Sequence, residues 1–127
     1  EQLSKLDIIA STRRVTCRAY NEAFAGMKGL AVPPTDLDGI TPFLYYVRVA
    51  PDRREDFRDW LEKQGVETGL HWQPGHGFTL FRDCRSGDLP VTEQLAREIV
   101  TLPLHSCMAE ENQGRVIAAV QSFFEQG

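Results

Sequence analysis

Apolar residues at the start of the chain recur at alternating steps of three and four positions. The residues on this stripe are Leu3, Leu6, Ala10, Cys17, Tyr20 and Phe24, with Arg13 in the gap. Such spacing predicts an amphipathic helix of about seven turns, which Gly26 and Gly29 end. Because no Ser, Thr, Asp or Asn precedes Leu3 as a cap, we expect residues 1–26 to form a long helix that joins a missing N-terminal domain.

Two strands and an intervening helix are predicted next. The segment FLYYVRVA at 43–50 is rich in β-branched and aromatic residues and apolar on both faces, which is typical of a central strand. The segment VETGLHW at 66–72 predicts a second strand. Between them we expect a helix over 53–64, with Asp52 as its cap and Gly65 as its stop. Its inward-facing residues would be Phe57, Trp60 and Leu61.

Two more helices are predicted, near 91–99 and over 109–125, with the short apolar segment TLPL between them. The last helix would turn inward Val116, Ile117, Val120, Phe123 and Phe124. Because strands and helices alternate, we expect an α/β fold in which a short mixed or antiparallel sheet is covered by helices on one face. We expect 1–127 to be one domain, in which a small α/β unit over 42–127 follows the first helix.

Composition excludes several function classes. The chain has 127 residues, of which 42% are hydrophobic and 25% charged, as in a single soluble globular domain. Its net charge is −4 without a basic cluster, which argues against a nucleic-acid partner. No apolar run approaches the ~20 residues of a membrane span and no segment resembles a secretory signal, so we expect a cytoplasmic protein without a membrane partner. The cysteines are too irregularly spaced for a disulfide framework or a CxxC metal pair: Cys17, Cys84 and Cys107.

The stretch GLHWQPGH at 69–76 carries two histidines and is the strongest candidate for chemistry. A metal site needs further ligands beside His71 and His76, and no Cys, His or carboxylate stands at a recognisable spacing, so we expect no metal. A nucleophilic pair of His71 with Cys84 or Cys107 stays open, although no local signature supports it and buried, inert cysteine is the commoner state.

A ligand-binding loop is the third interpretation of this stretch. Alternation along a strand would place Leu70 and Trp72 on one face and His71 on the other, beside the small Gly69. The Pro74-Gly75 turn would then bring out His76 and Phe78 on the far side. These side chains would make a rim for a polar ligand, and a purely structural turn is the alternative.

Three segments together carry a family resemblance. The opening QLSKLDIIASTRRVTCRAY fits the pattern QL-x-x-L-D followed by RR and a tyrosine, here Arg13, Arg14 and Tyr20. GVETGLHWQPGH fits G-[IV]-x-T-G-x-H-[YWF] before a second histidine, and LPVTEQLAREIVTLPLHSCMAEE fits a Pro-x-[ST]-E helix leading into LPLH. In this combination the chain resembles the C-terminal part of the DegT/StrS family of pyridoxal-phosphate-dependent sugar aminotransferases, hence the small C-terminal domain of a fold-type I aminotransferase.

Two positions depart from the family pattern. Relatives usually have an Asn-His or Ser-His pair before the central strand, where this chain has Thr41, Pro42 and Phe43. The substrate contact of that histidine is therefore missing or replaced. Ala109 stands where relatives place a Ser or Thr cap, which costs the last helix ~1 kcal/mol at most.

The resemblance implies an activity for a longer parent enzyme. The parent would transfer an amino group, from glutamate, to a nucleotide-linked keto-sugar, in the synthesis of amino sugars for lipopolysaccharide or secondary metabolites. It would be a homodimer that uses pyridoxal phosphate as electron sink. The lysines Lys5, Lys28 and Lys63 match no family lysine motif and have no buried, organised setting for an aldimine. We therefore expect no catalytic residue and no bound cofactor in this chain.

The resemblance also implies roles for individual residues. His71, Trp72 and His76 would contact the substrate. Arg13, Arg14 and Tyr20 would lie at the interface with the missing domain. The competing hypothesis is a stand-alone, non-enzymatic α/β module that binds a small ligand or a protein, which would explain the absent lysine without a missing domain.

Overall fold

The computed structural model describes residues 3–85 and 87–126. Four α-helices and three strands are present in this part of the chain. In chain order they are α1 (Leu6–Phe24), β1 (Leu30–Ala31), β2 (Tyr45–Val49), α2 (Arg54–Lys63), α3 (Pro90–Glu98), β3 (Ile99–Leu102) and α4 (Glu110–Glu125). Short 3-10 turns cover Leu3–Lys5, Gly75–Gly77 and Thr79–Phe81.

The strands form one antiparallel sheet in the order β1-β2-β3. β2 lies in the centre, as the apolar segment 43–50 predicts, and its residues Tyr45, Val47 and Val49 are buried. Tyr45 pairs with Leu102, and Val47 pairs with Val100, so these side chains share one face of the sheet. This arrangement confirms the expected α/β fold with a short antiparallel sheet and helices.

Helices α1, α2 and α4 supply the rest of the core against this face. Their buried side chains are Cys17, Tyr20, Phe24, Phe57, Leu61, Val116, Ala119 and Val120. The predicted inward residues Trp60, Ile117, Phe123 and Phe124 are partly buried against the same cluster. The helical periodicity in the sequence therefore identified the inner faces of α2 and α4, and that of α1 from Ala10 onward.

The two halves of α1 have different surroundings. Tyr20 and Phe24 are fully buried, their ring centroids are 5.7 Å apart, and the Tyr20 hydroxyl donates to the Pro103 carbonyl at 3.0 Å. By contrast, Leu3 is 85% and Leu6 is 44% exposed, although they belong to the same apolar stripe. The helix spans Leu6–Phe24 within the predicted range 1–26, of which residues 1 and 2 lie outside the described part.

The prediction of a strand over 66–72 is wrong. Only Gly69 pairs, and it does so with Thr101 through two backbone hydrogen bonds of 3.1 and 2.8 Å. Continued antiparallel pairing would place residue 67 opposite Pro103, which has no N–H to donate. In the other direction β3 begins at Ile99, directly after α3. The partner strand is therefore too short for a ladder along the whole segment.

The predicted cap of α2 is also wrong. Arg53, and not Asp52, occupies the capping position, and no side chain caps the helix there. Glu55 and Asp56 in the first turn still stabilise the helix, because their negative charges lie near the positive end of the helix dipole. The predicted bounds of α2, α3 and α4 agree with the structure within one or two residues, whereas α1 begins at Leu6, after a 3-10 turn, and is shorter than the predicted seven turns. Within the described residues, no helix is long and apolar enough to cross a membrane.

We expect Tyr20→Phe to lower the free energy of unfolding by about 0.5–1.5 kcal/mol, because it removes the buried hydrogen bond to Pro103. Chemical denaturation measures this loss. Tyr46→Phe is the matched control, because Tyr46 lies on the opposite face of β2, half-buried, and its hydroxyl bonds to no residue that the structure describes. Equal losses in the two variants would contradict the assignment.

Candidate functional site

The candidate site lies on the face of the sheet opposite the core. Thr101 pairs with Tyr46, and Ile99 pairs with Arg48, so their side chains alternate with the core residues of β3. Thr101 is nevertheless 5% exposed, because the segment around Gly69 covers it. Next to these strands, hydrogen bonds from Gln94 at 2.8 Å and from the Arg48 guanidinium at 2.7 Å hold the pKa of Glu98, the last residue of α3, below its ordinary value.

Thr101 fixes the ring of His71. The Nδ1 atom of His71 lies 2.8 Å from the Thr101 hydroxyl oxygen. A β carbon at position 69 would lie 2.4 Å from Cε1 of His71 and 2.7 Å from the Thr101 oxygen. Glycine at 69 therefore provides the space in which the imidazole folds back onto the strand. The other ring nitrogen, Nε2, bonds to none of the described residues and stays available to a ligand.

His71 and Trp72 line a cleft of about 370 Å³. The other lining residues are Arg54, Leu70, Gln73, Pro74, Thr92, Leu95, Ala96 and Ile99. The Arg54 guanidinium is held in place by the Ala96 carbonyl at 2.7 Å and the Glu55 carboxylate at 2.9 Å. This volume, with a mostly apolar wall and a few fixed polar groups, is typical of a small-molecule site.

Two exposed aromatic rings stack on each other, of which Trp72 lines this cleft and Phe43 lines a second cavity of about 400 Å³. Trp72 is 67% exposed, and Phe43 is 64% exposed. The rings are stacked, with centroids 5.8 Å apart and planes at 19°. The His71 and Trp72 rings are arranged edge-on, and their centroids are 5.4 Å apart. Neither the contact between Phe43 and Trp72 nor the bond of Thr101 to His71 was predicted from the sequence.

His76 lies apart from His71. It sits in the turn Gly75–Gly77, where its Nε2 atom is 3.5 Å from the Glu93 carboxylate of α3. It does not line the cleft around His71, although Pro74, two residues earlier, does. The structure therefore brings together His71 and Trp72, and it places His76 against α3.

The three residues expected at an interface lie in different environments. The Arg14 side chain donates to the Ile40 carbonyl at 2.8 Å, and Arg13 donates to the Pro42 carbonyl at 3.2 Å. Both arginines thus hold the segment before β2 against α1. Tyr20 is fully buried in the core, so in this conformation it presents no surface to a partner. An interface role for the arginines stays a prediction.

The described residues offer no group of three or more His, Cys, Asp or Glu side chains that could hold a metal ion. Cys84 and Cys107 are exposed, and no interaction links either of them to His71. Cys17 is buried, and its burial raises the pKa of the thiol to about 11, which keeps it protonated near neutral pH.

The lysines of this chain do not fit pyridoxal phosphate. A lysine that binds this cofactor covalently needs a buried, organised pocket. Lys5, Lys28 and Lys63 are all exposed, and none of them lines the cleft beside His71. The absence of a covalent cofactor site from this chain stays a prediction.

Comparisons with known proteins match nearly the whole chain to one family. The model of the DegT/DnrJ/EryC1/StrS aminotransferase family matches residues 1–121. The dTDP-3-amino-3,4,6-trideoxy-alpha-D-glucose transaminase of Micromonospora megalomicea is 33% identical over 94% of this chain and 34% of its own length. The dTDP-4-dehydro-2,3,6-trideoxy-D-glucose 4-aminotransferase of Saccharopolyspora spinosa is 29% identical over 92% of this chain and 30% of its own length.

A solved structure shows the same fold. The aminotransferase TlmJ from Streptoalloteichus hindustanus superposes with a TM-score of 0.90 at 27% identity. The match covers 98% of this chain and 34% of that one. The chain thus spans about a third of the length of the relatives that it matches.

We expect Gly69→Ala to displace the His71 ring from Thr101, because the added carbon would overlap the imidazole. The ring and the Thr101 hydroxyl must both shift, so the free energy of unfolding should fall by at least the hydrogen bond between them, about 0.5–1.5 kcal/mol. Imidazole NMR signals report the displacement. Gly77→Ala is the matched control, since nothing lies within 4 Å of an added carbon there. Unchanged His71 signals in Gly69→Ala would contradict the prediction.

Proposed function

Since the chain belongs to the DegT/DnrJ/EryC1/StrS aminotransferase family, we propose that it is the C-terminal part of a pyridoxal-phosphate-dependent sugar aminotransferase. The enzyme transfers an amino group, with glutamate as donor, to a nucleotide-linked keto-sugar in amino-sugar biosynthesis. The observation that carries this proposal is the family match over residues 1–121, joined to two relatives named as dTDP-sugar aminotransferases.

The lysines indicate which part of the enzyme binds the cofactor covalently. Aminotransferases of this family depend on pyridoxal phosphate, which serves as an electron sink when bound. All three lysines of this chain are exposed, so we assign the covalent site to a preceding N-terminal domain of the same enzyme. This division agrees with the share of its relatives, about a third, that the chain spans.

His71 is the residue of this chain that we assign to the sugar substrate. Thr101 holds its Nδ1 side, so the Nε2 atom is fixed in direction and can bond one hydroxyl or phosphate oxygen. Trp72 shields one side of the cleft from water, and Arg54 places a positive charge in its wall. His76 lies after the cleft residue Pro74, and we assign it to the rim.

We further propose a cytoplasmic homodimer. The three cysteines are free thiols, which is the usual state in a reducing compartment. The start of the chain supports a contact surface, since Leu3 in the first 3-10 turn and Leu6 and Ile8 in α1 are exposed. Apolar residues concentrated on one stretch of surface are typical of an interface. Sedimentation of the protein as its gene encodes it tests the dimer.

The first test is His71→Ala in the protein as its gene encodes it. We expect kcat/KM for the nucleotide sugar to fall roughly two- to 150-fold, which corresponds to one hydrogen bond of ~0.5–1.5 kcal/mol, or ~1.5–3 kcal/mol to a charged phosphate. The glutamate half-reaction should remain close to normal. Single-turnover measurements of each half-reaction separate the two effects. The exposed His105 is the control, and His105→Ala should change neither half-reaction.

Equal losses in both half-reactions of His71→Ala, together with a lower melting temperature, would mean that His71 has only a structural role. The absence of any amino transfer from glutamate to a nucleotide keto-sugar by the unmodified protein would refute the proposed function itself.

A second test concerns residues 1–127 alone. Mixed with pyridoxal phosphate, this chain should give no stoichiometric, lysine-dependent visible absorbance band, because Lys5, Lys28 and Lys63 lie in solvent. Absorbance titration measures this. A one-to-one band that a single Lys→Ala change abolishes would show that the cofactor site is in this chain.

A further inference from the structure

Phe43 and Trp72 form an exposed aromatic pair that the core does not require. Their side chains are 64% and 67% exposed even though the two rings stack on each other. Each ring therefore uses one face for its neighbour and leaves much of the remainder in water. Large apolar surface held in this way is typical of a binding site.

Hydrogen bonds from α1 hold the backbone that precedes Phe43. Arg14 donates to the Ile40 carbonyl at 2.8 Å, and Arg13 donates to the Pro42 carbonyl at 3.2 Å. Two hydrogen bonds from α1 thus hold the residues directly before Phe43, and β2 begins two residues after it. Trp72 follows His71, whose ring Thr101 holds. Both rings are therefore set in place before a ligand arrives, which lowers the entropic cost of binding.

The geometry of the pair selects the chemistry of the ligand. The two ring planes differ by 19°, so a third flat ring can extend the stack in parallel orientation. Stacking on aromatic side chains is a common way in which proteins hold a nucleic-acid base, because every base has a π face. Trp72 also lines the cleft that contains His71 and Arg54. A nucleotide stacked on Trp72 can therefore extend its phosphates and sugar along this cleft.

We infer that Phe43 and Trp72 are a base-stacking platform for the nucleoside diphosphate part of the substrate, with Arg13 and Arg14 as positioning residues. This inference rests on the proposed function, in which the acceptor is a nucleotide-linked sugar.

Thymidine diphosphate is the probe, and tryptophan emission of the protein as its gene encodes it is the signal. The described chain has two tryptophans, and Trp60 is held inside by its bond to the Ala119 carbonyl at 3.0 Å. We expect thymidine diphosphate to quench the emission of Trp72, and Trp72→Phe to abolish that quenching. Inorganic pyrophosphate, which has no base, should not quench.

Phe43→Leu keeps apolar bulk and removes the ring. It should raise the Kd for thymidine diphosphate about five- to 150-fold, which corresponds to the ~1–3 kcal/mol of one base–aromatic stack at about 1.4 kcal/mol per decade. Phe78→Leu, at a partly exposed phenylalanine outside the cleft, is the matched control and should bind as the unmodified protein does. Circular dichroism verifies that each variant is folded.

Unaltered affinity in Phe43→Leu, or no quenching at millimolar thymidine diphosphate, would overturn the platform. Quenching by pyrophosphate at the same concentrations would assign binding to the phosphates and would also overturn it. The outcome for the proposed function is separate. Amino transfer with an unchanged KM in Phe43→Leu removes the platform only, whereas base-dependent quenching without any amino transfer removes the proposed function only.

Discussion

The pairing of Thr101 with its two neighbours connects the core of this domain to its candidate site. In the sheet, Thr101 pairs with Tyr46 of the central strand, and on its other side it exchanges two hydrogen bonds with Gly69. Its hydroxyl then bonds the ring of His71. One residue thus sets the position of a loop and the direction of an imidazole. The energy that fixes this position comes from the core residues on either side, Val100 and Leu102, which are buried on the opposite face.

Strand alternation separates the two tasks of the sheet. The face that carries Tyr45, Val47 and Val100 is buried by three helices and provides stability. The other face carries Thr101 and Ile99, and there the cleft is formed. A substitution on the second face can therefore alter ligand binding while the core stays intact. The same separation explains why the residues of the site are held firmly although Trp72 and Phe43 are largely exposed.

Much of the fold could be predicted from sequence because the patterns are local. The periodicity of α1, α2 and α4 identified their buried faces, and the apolar segment around Val47 identified the central strand. The prediction of a strand over 66–72 was wrong for a reason that lies outside this segment. Its composition is typical of a strand, but β3, with which Gly69 pairs, has four residues and ends at Leu102, directly before Pro103. Residues 66–72 themselves give no indication that the strand beside them is so short.

The site was predictable only in part for the same reason. Glycine at 69 and histidine at 71 indicated a shaped loop, and the family pattern added Trp72. The contacts that give this loop its form come from residues about thirty positions away, since Thr101 follows His71 by 30 residues. A threonine within the apolar segment IVTLPL was the available signal for that contact, because a lone hydroxyl in a buried strand needs a partner.

The arginines of α1 extend this argument to the first helix. An arginine in an apolar stripe is expected to reach a partner, because burial of an unpaired charge is costly. Arg13 does so by bonding the Pro42 carbonyl, and Arg14 bonds the carbonyl of Ile40. Because these carbonyls directly precede Phe43, the helix stabilises the aromatic edge of the cleft as well as the core. α1 therefore contributes to the fold through Tyr20 and Phe24 and to the candidate site through its arginines.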